Sequence, residues 1–237
     1  MYFRQFFEPD QAAMSYLLGD PVSGQAVAID PRPDPCQVLL LLALLAERQL
    51  DLCLILLTHT HVAPDDHLPD LYPGAQVVVG GGGRQPAGLR TVVHGERLLM
   101  GTQVLQVIAT PGHTPNCVTY HCDDRLFTGD CLLIGDCGNL CGAGADAGRL
   151  YDSITRKLLR FPDETLLYPG HDQQGRQVSC IGDERRNNPL FCGVSRDEFI
   201  ARLASRPYTL SPNSVEIAAT NRHSGLSFPE STSPSLP

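Results

Sequence analysis

The residues of this chain best equipped for chemistry lie between Leu57 and His67, in the run Leu-Thr-His-Thr-His-Val-Ala-Pro-Asp-Asp-His. His59 and His61 stand at i and i+2, and Asp66 and His67 follow. Imidazole nitrogens bind zinc, copper, iron and nickel, and a carboxylate can complete a hard or borderline site. Three other places offer the same kind of group: His113 in Thr110-Pro111-Gly112-His113, Asp130 in Thr128-Gly129-Asp130, and His171 in Pro169-Gly170-His171. Each follows a glycine, which lets the backbone turn sharply and approach a centre closely. A single loop histidine is more often a surface or hydrogen-bonding group than a ligand. Four separate deliveries of imidazole or carboxylate predict a metal site. His94, His121 and His223 lack that context and read as surface or packing residues.

The elements that must position these groups are legible as short apolar runs. Leu52 to Leu57 is aliphatic and bounded by polar residues, so it reads as a buried strand opening into the histidine cluster. Gln103 to Ile108 reads as the strand before His113, Leu126-Phe127 as the strand before Asp130, and Thr165 to Tyr168 as the strand before His171. Val118 to Tyr120 is a further strand. Upstream, Tyr16 to Leu18 and Ala26 to Ile29 are strands joined by the turn-rich Gly19 to Gly24, and Asp30-Pro31 breaks the second. A helix centred on Val38 to Glu47 is apolar nearly all round and is expected to be buried. Gln76 to Val79 is a strand running into Gly80 to Gly83; without a GxGxxG or GKS/GKT context this reads as a flexible loop. Leu150, Ile154, Leu158 and Leu159 have helical spacing over 150–161, and Ser195 with Glu198 forms a capping box for a helix over Arg196 to Ala204. Strands, a helix, strands again and then helices, in two similar halves, favour a layered α/β sandwich over a doubly wound sheet.

Composition narrows the function classes. A chain of 237 residues, 42% hydrophobic, can bury one full core. A formal charge of −8 argues against nucleic acid as a partner, since broad binding to it needs clustered Lys and Arg. No apolar run approaches the ~20 residues that span a bilayer, and Met1 to Arg4 lacks a signal-peptide pattern, so no membrane partner is expected. The nine cysteines are odd in number and lack repeated CxxC spacing, which points to a reduced, cytoplasmic protein with most thiols buried as small hydrophobes. Cys131, Cys137 and Cys141 match no common structural-zinc spacing. The expected organisation is one domain over 1–225 and a Ser/Pro-rich, disordered tail over 226–237.

The order and spacing of THTH…DDH, TPGHT, FTGD and YPGHD resemble the metallo-β-lactamase superfamily. Arg4 to Pro9, Tyr16 to Asp20, Phe127 to Ile134 and the Glu-Arg-Arg-Asn-Asn-Pro of 184–189 resemble its persulfide dioxygenase branch. The likeness runs from about Phe3 to Gly225. It implies a four-layer αββα sandwich with a catalytic metal at one edge. It also implies a single Fe(II) on His59, His113 and Asp130, with zinc as the alternative, and a homodimer. Two histidines and one carboxylate leave three open positions, the arrangement of non-haem Fe(II) oxygenases. O₂ and a small-molecule persulfide then have room side by side, and glutathione persulfide is the implied substrate. His61, Asp66, His67 and His171 would orient ligands and bound water through hydrogen bonds. If they bind metal instead, the site holds two ions, as in the related glyoxalase II hydrolases.

Three departures bear on these expectations. The superfamily pattern is H-x-H-x-D-H, whereas three extra residues here, with Pro64 among them, separate His61 from Asp66-His67. That insertion displaces the second-metal pair and leaves His59 untouched, so it favours one metal. After Cys137-Gly138 the family carries Arg-Thr-Asp, and this chain has Asn139-Leu140-Cys141. After His171-Asp172 the family carries Tyr, and this chain has Gln173. Both changes fall near the expected glutathione pocket, where Asn139, Gln173 and Arg176 are the candidate substrate-binding residues. Three readings follow: a persulfide dioxygenase, a zinc-dependent thioester hydrolase, and a catalytically silent relative that binds through the same cleft.

Overall fold

The computed structural model describes residues 1–61, 68–82 and 89–206. Asp66, His67, the insertion over 62–65, Gly83, His223 and the tail over 226–237 lie outside the described residues.

The first sheet has the order β1 (Tyr2–Glu8), β2 (Ala13–Asp20), β3 (Gln25–Ile29), β4 (Asp51–Leu56), β5 (Gln76–Gly80), β6 (Arg90–Val92). Helix α1 (Pro35–Arg48) crosses from β3 to β4, and a single turn, α2 (Leu68–Leu71), precedes β5. The second sheet is built from β7 (Arg97–Met100), β8 (Gln103–Ala109), β9 (Val118–Cys122) and β10 (Arg125–Gly129). After the small ribbon β11 (Leu132–Leu133) and β12 (Asp136–Cys137) comes α3 (Ala147–Arg156). The sheet is completed by β13 (Leu166–Pro169) and β14 (Ser179–Cys180), giving the order β14-β13-β10-β9-β8-β7. Helices α4 (Ile181–Asn187) and α5 (Arg196–Ala204) close the described chain.

The two sheets bury a common core of Val27, Ile29, Leu56 and Val78 against Leu105, Val107, Tyr120 and Phe127. On the outside of the first sheet, α1 sets Val38, Leu41 and Leu45 over Ala26, Ala28, Ile55 and Val77. On the outside of the second, Leu150 and Ile154 of α3 and Phe199 and Leu203 of α5 cover Ile108, Leu126 and Leu167. The architecture is therefore the expected αββα sandwich, each layer burying one face. Covering on both sides explains why β3 and β4, which pair in parallel, read as nearly continuous apolar runs.

Helix α1 departs from its expected burial. Leu39, Leu40 and Leu42 are 68%, 46% and 42% exposed, because an outer-layer helix has only one stripe against the sheet. The second difference is the glycine run. A Cβ on Gly80 or Gly82 would lie 2.1 Å from the carbonyl oxygen of Asn116 or Pro115, so these glycines are packed rather than loose. The helix expected over 150–161 ends at Arg156, and Leu158–Arg160 tighten into a 3-10 turn that still buries Leu158. No helix among the described residues is long and apolar enough to cross a membrane.

Strand direction places the chemistry. β3 and β4 are parallel, so Asp30 and Thr58-His59 leave the first sheet at the same edge. β8 is antiparallel to β9, β9 to β10, and β10 is parallel to β13. β8, β10 and β13 therefore run the same way and deliver His113, Asp130 and His171 together. Hydrogen bonds between the sheets lock this edge: Tyr16 donates to the Pro169 carbonyl at 2.5 Å, Tyr120 to that of Leu57 at 3.1 Å, and the Val118 amide to that of Thr58 at 2.8 Å.

Asp20 locks the opposite edge. Its carboxylate accepts from the Thr102 amide at 2.7 Å, the Thr102 hydroxyl at 3.0 Å, the Val22 amide at 3.1 Å and Ser23 at 2.9 Å, tying β2 to the β7–β8 turn. The Thr102 amide, then those neighbours, outweighs burial and holds the carboxyl at about 2. Because the folded value lies below the ordinary 3.8, its stabilisation is full above about pH 4 and is lost as pH falls towards 2. Asp20→Asn should therefore melt below wild type at pH 6, with the gap narrower at pH 3 and closing towards pH 2. A gap of equal size at pH 6 and pH 3 in calorimetry would refute this role.

Candidate metal centre

Three imidazoles and one carboxylate converge where the two sheets meet. The Nε2 atoms of His59 and His61 lie 3.2 Å apart, and those of His113 and His61 lie 3.3 Å apart. Asp130 Oδ2 is 3.7 Å from Nε2 of both His59 and His113. One donor atom from each of the four residues lies within 4.8 Å of every other. Ligands at about 2.1 Å from a shared ion are separated by roughly 3.0–3.4 Å, the spacing of the His59–His61 and His61–His113 pairs. The group His59, His61, His113 and Asp130 is a metal-binding group.

The protonation pattern suits a cation. Burial pushes the His59 imidazole well below its ordinary range and that of His61 down to about 4, with neighbouring imidazoles adding to the effect at His61. A neutral ring keeps one N–H and offers the lone pair of its other nitrogen. Burial works against ionisation of Asp130, but the His171 imidazole, then His59 and His113, holds its carboxyl well below the usual carboxylate range. The same pairing raises His171.

Each ligand atom is aimed by a partner behind it. Thr58 gives its hydroxyl proton to Asp30 at 2.7 Å, so its oxygen accepts from His59 Nδ1 at 3.0 Å and leaves Nε2 free. Asp30 also accepts from the Thr58 amide at 2.8 Å. His113 Nδ1 donates to the carbonyl of Asn139 at 2.6 Å, which fixes its ring the same way. His171 Nδ1 lies 2.7 Å from Asp130 Oδ1, turning the other carboxylate oxygen towards the imidazoles. Asn116 bridges the loops by accepting from the Thr114 hydroxyl at 2.6 Å and donating to that of Thr60.

The structure thus brings His59, His113 and Asp130 together, adds His61 to the same donor set, and sets His171 behind Asp130. The three residues considered for substrate binding divide. Asn139 offers its carbonyl to His113, and its side chain accepts from the Cys141 amide at 3.2 Å. Arg176 is tied to Asp172 at 2.7 Å and to the Ile134 carbonyl at 2.7 Å, which occupies its guanidinium. Gln173 is exposed. All nine cysteines are free thiols, and Cys117, Cys122, Cys131 and Cys137 are buried.

Asp30 and Thr58 escape a reading that looks only for ligands. The signal was present nonetheless: Asp30 is an acid at a strand end, like Asp130, and the following proline marks where the strand stops. Glu184 and Asn188, in the Glu-Arg-Arg-Asn-Asn-Pro run, are scaffold. Glu184 accepts from the Gly135 amide at 2.8 Å, Ser179 at 2.6 Å and Asn188 at 2.9 Å, and Asn188 reaches the Asp136 carbonyl at 3.2 Å. They hold the ribbon that follows Asp130.

Residues 63–171 match the metallo-beta-lactamase superfamily. The chain is 35% identical over 241 residues to the mitochondrial persulfide dioxygenase ETHE1 of Homo sapiens, covering 95% of this chain and 89% of that protein. The crystal structure of ETHE1 from Myxococcus xanthus superposes with a TM-score of 0.82 at 39% identity, over 95% of this chain and 100% of that one. A hydroxyacylglutathione hydrolase from Roseobacter denitrificans is 30% identical over 214 residues, 87% of this chain and 80% of the hydrolase. Fold, site and relatives agree: the chain belongs to the metallo-β-lactamase superfamily and, within it, to the persulfide dioxygenase branch with its glyoxalase II-like relatives.

Proposed function

We propose that this enzyme is a mononuclear Fe(II) persulfide dioxygenase, with iron held by His59, His113 and Asp130. Its reaction is R–S–SH + O₂ + H₂O → R–SH + SO₃²⁻ + 2 H⁺, with glutathione persulfide or a related small persulfide as R–S–SH. The observation that carries this reading is the convergence of three imidazoles and one carboxylate on a single point, with His171 occupied by Asp130. The names of the human and Myxococcus relatives support the activity.

When bound, ferrous iron supplies the redox chemistry through which O₂ reacts with a persulfide sulfur. The protein's own part is positional. Asp30 and Thr58 set the tautomer of His59, the Asn139 carbonyl sets that of His113, and His171 keeps Asp130 ionised and turned inwards. Holding both reactants at one centre replaces an improbable encounter by a local one. Asn139, Gln173 and Arg176 stay candidates for the substrate side, with Arg176 acting through the loop it braces. The free thiols support a reducing compartment such as the cytoplasm. The exposed leucines of α1 support a homodimer, which sedimentation equilibrium reads directly.

One observation favours a second reading. His61 lies in the donor set, and three histidines with one aspartate also suit zinc, as a hydrolase would use. Metal analysis of protein purified without added metal, paired with an oxygen electrode, separates the two. The dioxygenase reading expects about one iron per chain, oxygen uptake and sulfite release with glutathione persulfide. Two zinc ions and oxygen-independent hydrolysis of S-lactoylglutathione would replace it with the hydrolase. Metal-poor protein inactive on both substrates would make the chain a silent relative.

A further inference from the structure

The loop that carries His113 begins where β8 ends, and from the last strand residue, Ala109, onward the carbonyl groups need donors outside the sheet. Three of them find it on one helix. Lys157, at the carboxyl end of α3, donates Nζ to the Ala109 carbonyl. Ser153 donates to that of Pro111 at 2.8 Å, and the Asp146 amide, at the N-cap, donates to that of Gly112 at 2.8 Å. Between these contacts Gly112 lies flush on the helix, where a Cβ would come within 2.3 Å of Leu150 Cα. Positions 146, 150, 153 and 157 are spaced i, i+4, i+7 and i+11, which is a single face of a helix.

Several features make this face a rigid support. Leu150 and Ile154 are fully buried and anchor α3 to the second sheet. The Asp146 side chain caps the helix through the Arg149 amide at 2.9 Å. Lys157 is the only lysine in a chain with 18 basic residues, and its ammonium is turned onto the main chain instead of out to solvent. The far side of the loop is gripped as well, by the Thr110 amide on the Cys117 carbonyl at 2.8 Å. Metal ligands must be placed to about 0.2 Å, which a loop solvated by water does not achieve.

We infer that α3 is a splint for the metal centre, and that Ser153 and Lys157 are positioning residues that hold His113 through the carbonyls of its loop. The inference rests on the metal-site reading above and deepens it. Neither residue touches the donor set, so a purely structural role would leave the metal's surroundings unchanged.

The test uses Co(II) as probe, added to the full-length chain stripped of metal, with affinity and visible absorption as readouts. Ser153→Ala and Lys157→Met should each weaken Co(II) binding by about tenfold and shift the absorption bands at saturating cobalt. Lys157→Arg, which keeps the donor, should restore both. Arg156→Ala, on the same helix but 72% exposed, should bind like wild type. Circular dichroism and melting confirm that the compared proteins are folded. If His113→Ala abolishes cobalt binding while Ser153→Ala and Lys157→Met keep the wild-type affinity and spectrum, the splint is refuted and the metal site stands. If His113→Ala binds cobalt like wild type, the metal-site reading itself fails.

Discussion

Asp130→Ala should leave a folded protein that retains no metal and has no turnover. Among the described residues Asp130 is the only carboxylate in the donor set, and it brings negative charge to balance a dication. Three imidazoles remain in the variant, and His171 loses the partner it meets at 2.7 Å. The cost should exceed the roughly 10- to 100-fold in metal affinity that loss of an outer hydrogen-bond partner brings. Asp130→Asn separates charge from shape. It keeps an oxygen facing His171 and similar volume, and it should fail to hold metal nearly as completely. The fold should survive both changes, since burial already opposes ionisation of this group. Metal content per chain after gel filtration, alongside oxygen uptake, is the measurement. Wild-type metal content or activity in Asp130→Ala would remove Asp130 from the site.

The second large effect comes from a single methyl group. Gly138 lies between two of the ligand loops, and a Cβ there would stand 2.1 Å from the Asp130 carbonyl oxygen. The same Cβ would be 2.9 Å from Cγ and Nδ1 of the His113 ring. Neither neighbour is the free end of a flexible chain. One is main chain, and the other is a ring held at 2.6 Å by the Asn139 carbonyl. Gly138→Ala must therefore push Asp130 and His113 apart, against a ligand tolerance of about 0.2 Å, and should lower metal affinity by about 100-fold or more. Gly142→Ala is the control in the same loop, because its Cβ would meet His61 Nδ1 at 3.8 Å, an ordinary contact. Calorimetric titration of both stripped variants with Fe(II) under anaerobic conditions reads the difference. Equal affinities for Gly138→Ala and wild type would show that the loops give way without disturbing the ligands.

Much of the sandwich was legible because its strands follow simple patterns. Buried parallel strands such as Gln25–Ile29 and Asp51–Leu56 show as aliphatic runs, and Ser195 caps α5 through the Glu198 amide as its capping-box spacing predicts. Tyr2–Glu8 went unread because Arg4, Gln5 and Glu8 interrupt its aromatics, and its burial depends on Tyr16, Phe127 and Tyr168 packing around Phe3. The burial of α1 differs from expectation for the opposite reason. Composition alone does not say which side of an apolar helix meets a sheet. Asp20 read as a turn residue, since its partner Thr102 lies 82 positions away.

What the sequence determined by itself was local: the donor types, their place at strand ends beside glycines, and the order in which the chain delivers them. These follow from side-chain chemistry and from backbone rules that act over a few residues. Tertiary structure alone decided which donors share a centre. It turned Nε2 of His61 in among His59 and His113, laid His171 against Asp130, and brought Asp30 and Asn139 behind the ligands. Those choices depend on strand direction and on contacts between residues such as His61 and His113, 52 positions apart. Short-range patterning carries no record of such distances, because they are set when the two sheets pack and their loops close over one edge.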